Sequence, residues 1–159
     1  MRKMLVGVMF LLVIQGAALA QSSERRGWGY VFGGAGASTG DFTFAAFQVG
    51  AGGEGLVHNG LGLGAEIGYL APFRDAGNGI GIFSGDVSYH FARSSKLVPF
   101  VTGGYSAAFR RGASHGANFG GGVQYWMKEH VALRIEFRDH GFSSDNPHLF
   151  QFRVGLAFR

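Results

Sequence analysis

The chain has 159 residues, among them 29 glycines, 16 phenylalanines, 3 prolines and no cysteine, and a formal charge of +4. Without cysteine there is no disulfide, thiolate metal site or lipoprotein anchor. So many aromatics exclude a disordered chain, and glycine, costing about 1 kcal/mol against alanine in a helix interior, argues against long helices.

Arg2 and Lys3 open the chain, Met4 to Ile14 form an apolar run broken only by Gly7, and Ala18-Leu19-Ala20 is an A-x-A site. Residues 1–20 therefore read as a cleaved secretory signal peptide, and 21–159 as one domain. The apolar run is too short to span a bilayer, which takes roughly 20 helical residues, and no later stretch reaches that length. Removing Arg2 and Lys3 lowers the charge from +4 to +2. The remaining arginines are scattered rather than gathered on one face, which sets nucleic-acid binding aside.

Eight segments follow, at 28–37, 43–54, 61–70, 79–92, 98–109, 117–127, 130–139 and 148–158. Their signal is alternation. Val131, Leu133, Ile135 and Phe137 interleave with Ala132, Arg134, Glu136 and Arg138. Phe150, Phe152, Val154, Leu156 and Phe158 interleave with Gln151, Arg153, Gly155 and Ala157. A period of two sends the two sets to opposite faces of a strand. Segment three places Leu63, Ala65, Ile67 and Tyr69 outward, with Gly64, Glu66 and Gly68 inward. Segment four sends Phe83, Gly85, Val87, Tyr89 and Phe91 one way, and Ser84, Asp86, Ser88 and His90 the other. Aromatics suit a lipid face and its borders, and glycines suit a narrow lumen. The fold class is all-β: an eight-stranded antiparallel up-and-down transmembrane β-barrel. A soluble lipocalin-like barrel is the rival fold.

With both termini in the periplasm, Gly55–Gly60, Arg93–Leu97 and Lys128–Glu129 are periplasmic turns. Ser38–Phe42, Ala71–Asn78, Arg110–Gly116 and His140–Pro147 are the outward loops, with Arg110-Arg111 and Asp145-Asn146-Pro147 at their tips. Trp28, Tyr30, Tyr89, Tyr125 and Trp126 then fall near the periplasmic end, where an aromatic girdle is expected.

Val98-Pro-Phe-Val-Thr-Gly-Gly-Tyr105, Phe119-Gly-Gly-Gly-Val-Gln-Tyr125 and His130-Val-Ala-Leu-Arg-Ile-Glu-Phe-Arg-Asp139 carry a resemblance to small eight-stranded outer-membrane proteins of the OmpA transmembrane-domain and opacity-protein type. The closing Val154-Gly-Leu-Ala-Phe158 looks like the C-terminal strand by which barrel-assembly machinery recognises such proteins, although Arg159 follows the aromatic. The resemblance implies a barrel in the outer membrane of a Gram-negative cell, in contact with its lipids and lipopolysaccharide. It implies no single activity, since members serve as anchors, adhesins, pores and lipid-modifying enzymes. Lipid A deacylases of similar size carry His-x-Ser near the start of the last hairpin. Glu136-Phe-Arg138 stands there in this chain.

The remaining motifs carry little chemistry. Gly50-Ala-Gly-Gly-Glu-Gly55 matches G-x-G-x-x-G, but a dinucleotide site needs a following helix. Asp86, Ser88 and His90 share a strand face, where neighbours two apart are about 6.6 Å from each other. A nucleophile and its base must approach to roughly 3.2 Å. His58, His90, His115, His130, His140 and His148 are too dispersed to converge on zinc and read mainly as solvated turn residues. No catalytic residue, metal or cofactor is expected.

The inward charges are more telling. Glu54, Glu66, Asp86 and Glu136 face Arg134, Arg138 and Arg153, with His90 beside them. In a lumen too narrow for bulk water such charges must pair. Glu136 and Arg153, on adjacent strands, are the expected central pair. The expectation is a monomeric, non-enzymatic barrel with a structural or surface-contact role, its lumen plugged by salt bridges. A narrow gated pore is the alternative, and a lipid-modifying enzyme the third reading.

Overall fold

The computed structural model describes residues 27–39, 44–110, 112–143 and 148–159. The expected signal peptide, Arg111 and Asp145-Asn146-Pro147 lie outside them. Eight strands run in order: β1 (Gly27–Thr39), β2 (Phe44–His58), β3 (Leu61–Pro72), β4 (Ile80–His90), β5 (Leu97–Phe109), β6 (Ala113–Trp126), β7 (Val131–Phe142) and β8 (His148–Phe158). Each pairs antiparallel with its sequence neighbour, and β1 pairs with β8, so the sheet closes. Closure leaves no strand edge unpaired.

The register fixes the tilt. Trp28 leads from partner to partner through Glu54, Gly64, Asp86, Gly104, Asn118, His140 and Leu149, and the walk returns to β1 at Ser38, ten residues further on. For eight strands a stagger of that size corresponds to a tilt near the upper end of the ~35–45° range. All nine residues point inward, so lumen side chains climb as a spiral.

The alternation read from the sequence appears as exposure. Leu63, Ile67, Phe83, Val87, Phe137 and Phe152 stand outside, Val87 at 49% and Phe152 at 55%, while Glu66, Ser84, Ser88, Arg134, Glu136 and Arg153 are buried within. A soluble barrel has the reverse arrangement, so the lipocalin-like rival is excluded. Such a continuous apolar exterior needs lipid around it.

Several strands outrun their expected ends, while β4 stops short of its own at His90. β2 continues to His58, so the turn before β3 is only Asn59-Gly60, with φ of 41° and 94°. Two successive left-handed residues make the turn whose twist matches a hairpin, and Asn-Gly is its preferred pair. A Cβ on Gly60 would lie 2.5 Å from the carbonyl oxygen of His90. β6 starts at Ala113 and β7 runs to Phe142, which draws His140 out of its expected loop. His140 is fully buried in the lumen, correcting its reading as a solvated turn residue.

β1 brings a second correction. Trp28 and Tyr30 are 8% and 5% exposed and point into the lumen with Phe32, while Tyr89 and Tyr125 face outward. Trp126 packs partly against the inward aromatics. The reason is space. A Cβ on Gly52 would lie 2.6 Å from the Tyr30 ring, and one on Gly50 would lie 2.5 Å from the Phe32 ring. Glycines on β2 thus leave room that the β1 aromatics fill.

Candidate functional site

All eight inward charges meet in one buried cluster. Arg134 donates from Nη1 to Glu54 at 3.2 Å and from Nε to Glu136 at 3.0 Å. Arg138 donates from Nε to the other oxygen of Glu136 at 2.6 Å and from Nη1 to Asp86 at 2.8 Å. Its Nη1 also lies 3.1 Å from Glu66. Arg153 makes a two-pronged contact with Glu66, at 2.8 and 2.7 Å. That fork matches the planar guanidinium to the planar carboxylate.

Glu136 and Arg153 are directly opposed in register, but their closest charged atoms are 3.9 Å apart. The main partner of Arg153 is therefore Glu66 across the lumen, not its strand neighbour. Both oxygens of Glu136 are already held by Arg134 and Arg138, which flank it two residues away on the same face of β7.

His90 hydrogen-bonds Glu54 through Nε2 at 2.5 Å, and Ser88 donates to the same oxygen. Serine and histidine thus share a carboxylate instead of meeting each other. Asp86 turns to Arg138 and to Asn118 Nδ2, the latter at 2.8 Å. The three residues do not form a nucleophile–base–orienter relay.

Several participants escaped the sequence reading. Tyr30 donates to Glu66 at 3.1 Å, Arg134 sits 3.9 Å above the Phe100 ring, and Arg153 sits 3.8 Å above Phe32. Asn118 and Ser106 extend the cluster to His140 Nδ1 at 3.0 Å. A continuous chain results: His90, Glu54, Arg134, Glu136, Arg138, Asp86, Asn118, Ser106, His140. Strand parity was the available signal, since Asn118 shares its face with Gly120, Gly122 and Gln124, and His140 shares its face with Arg138.

Chemically, such a chain locks. Arginine does not release its proton in a protein, so a proton relay is interrupted at Arg134 and Arg138. Apolar groups close the lumen on either side. Trp28, Ala132 and Ala157, with Leu56 and Trp126 against them, fill the end that carries the β2–β3, β4–β5 and β6–β7 turns. Ala46, Leu70, Ile82, Ala108 and Leu149, joined by Ile80 and Phe142, fill the other.

A closed eight-stranded barrel with an apolar exterior and an ion-paired, capped lumen is a small integral outer-membrane type of β-barrel. Residues 6–158 match the family described as outer membrane protein beta-barrel domain, and the chain belongs to that family. Comparison with curated protein sequences gives no match. Among solved structures, Neisserial surface protein A is similar at 12% identity and a TM-score of 0.69, over 83% of this chain and 96% of that one. The N-terminal β-barrel domain of Pseudomonas aeruginosa OprF aligns at 17% identity and a TM-score of 0.56, over 81% and 97%. Ail, the attachment invasion locus protein of Yersinia pestis, aligns at 9% identity and a TM-score of 0.58, over 85% and 99%. At these identities the likeness is one of fold.

Proposed function

We propose that this protein is a monomeric, non-enzymatic barrel of the Gram-negative outer membrane, exported by residues 1–20, with a structural or surface-contact role in the envelope. The observation that carries this reading is the capped ion network. Four carboxylates, three guanidiniums and His90 hold one another in a lumen closed by apolar clusters at both ends. Breaking such an arrangement strands a buried charge, so the shut state is strongly favoured.

Structure is favoured over tight protein recognition because the connections are short. β5 and β6 are separated by three residues, 110–112, and β3 and β4 by seven, 73–79. A specific interface commonly buries about 800 Å² per partner, more than such loops present. Lipid-modifying chemistry lacks a nucleophile–base pair in the candidate trio, since Ser88 and His90 both bond Glu54.

Planar-bilayer recording of the refolded protein tests the reading. No steady conductance is expected from the wild type. A stable open level in the folded wild-type barrel would instead support a conduit. That alternative draws on buried polar atoms without a protein partner in the other half of the lumen, on Gln48, Gln151 and His140.

A further inference from the structure

The end of the barrel that carries the β2–β3, β4–β5 and β6–β7 turns holds a pocket of about 300 Å³, bounded by the last two of these and the residue after β8. Among the described residues, Arg93, Lys96, Lys128 and Arg159 line it, against the one side-chain carboxylate of Glu129. With Arg159 set aside, Arg93, Lys96 and Lys128 against Glu129 leave two positive charges in excess among the described lining residues. The lumen salt bridges run among the lumen's own residues.

Arg159 is held in place. Arg159 sits 3.7 Å over the Trp126 ring, donates from Nε to the carbonyl of Glu129 at 2.5 Å, and donates from its backbone N–H to the carbonyl of His130 at 3.1 Å. Trp126 N–H donates to the carbonyl of Lys96 at 2.8 Å, tying the second turn to the first. An apolar strip adjoins the pocket on the lipid side. Leu97 and Tyr125 are register partners facing outward, 48% and 44% exposed, and Met127, on the pocket wall, is 46% exposed.

Cations above an apolar strip fit an amphiphile with an anionic head. We propose that this pocket binds the phosphate of an anionic phospholipid in the leaflet on its own side of the barrel, with its acyl chains against Leu97, Tyr125 and Met127. Guanidinium and ammonium groups make strong charge-assisted hydrogen bonds to phosphate oxygens, and Arg159 is pre-oriented for them by its stack on Trp126. A zwitterionic lipid carries the same phosphate, but its own ammonium offsets the attraction. Selectivity therefore comes from the excess positive charge. The inference does not depend on whether the lumen is shut.

Native mass spectrometry of the delipidated, refolded barrel tests it, with dioleoyl phosphatidylglycerol, dioleoyl phosphatidylcholine and inorganic phosphate as probes. The wild type should retain phosphatidylglycerol roughly tenfold better than phosphatidylcholine, as expected for cations near an anionic surface. The double variant Lys96→Gln/Lys128→Gln should lose that preference. Arg74→Gln, exposed at the opposite end, should keep it. Both altered lysines lie in turns, and a heat-dependent gel shift verifies folding; if the double variant does not fold, Lys128→Gln alone is read the same way. Equal retention of the two lipids by the wild type, or equal loss of preference in Arg74→Gln, overturns the proposal. Displacement of phosphatidylglycerol by millimolar inorganic phosphate overturns the lipid assignment and leaves a simple anion pocket.

Discussion

Arg153 and Glu66 form the tightest fork in the lumen, 87 residues apart in sequence and joined by two contacts of 2.7 and 2.8 Å. Glu136, opposite Arg153 in register, is 3.9 Å away because Arg134 and Arg138 occupy its oxygens. Proximity in the ladder thus ranks below the distribution of carboxylate lone pairs.

Double-mutant cycles in urea should reproduce that ranking. Glu66→Gln and Arg153→Gln should each cost about 3–5 kcal/mol, less where water reaches the stranded charge. The double variant should lose clearly less than the sum. Coupling between Arg153 and Glu136 should be smaller. If the Glu136 cycle gives the larger coupling, the partner assignment is wrong.

The faces of the wall can be tested by substitution. Val87 and Ile135 point outward, so Val87→Arg or Ile135→Arg should weaken folding into bilayers by roughly 2–4 kcal/mol near the midplane. Gly68→Arg should fail for another reason, since even a Cβ there would lie 3.0 Å from the backbone carbonyl oxygen of Val49. That variant should remain defective in detergent micelles as well as in bilayers. Normal folding of both outward arginine variants would contradict the assignment of faces.

Two glycines should behave in opposite ways. A Cβ on Gly122 would meet the carbonyl oxygen of Ile135 at 2.0 Å, and backbone cannot move aside cheaply. Gly85 has nothing within 4 Å. Gly122→Ala should therefore lower stability by about 1–3 kcal/mol, as overpacking does, and Gly85→Ala should be close to neutral. Equal urea midpoints for the two variants would count against the packing described.

Closure of β1 on β8 leaves no edge at which unfolding can start. The folded protein should resist SDS at room temperature and migrate differently before and after boiling. Identical mobility together with a helical circular dichroism spectrum would be incompatible with the barrel.

The strand pattern was legible wherever one face was purely apolar and the other polar. Val87 against Ser88, and Ile135 against Glu136, fixed which way β4 and β7 turn. β1 resisted the same reading because Trp28, Tyr30 and Phe32 alternate with Gly29, Val31 and Gly33, so neither face is polar. Only the glycines at positions 50 and 52 of the neighbouring strand decide that the aromatics go inward, and that is a matter of register rather than of one strand's composition. The charged members of the lumen cluster were likewise readable from parity. Their pairing was not, because Glu66 and Arg153 are brought together by the curvature of the closed wall.

That curvature also bears on how the barrel is built. Arg134 reaches Glu54 across 80 residues and Arg153 reaches Glu66 across 87, so these two salt bridges join β7 to β2 and β8 to β3. In a partly assembled sheet those partners are separated, and Arg153 and Glu66 lack each other. Insertion strand by strand would drag arginine and glutamate through hydrocarbon at several kcal/mol each. The intermediate must therefore keep its polar side turned to water or to another protein until β8 arrives, and the network completes in the same event that joins β8 to β1.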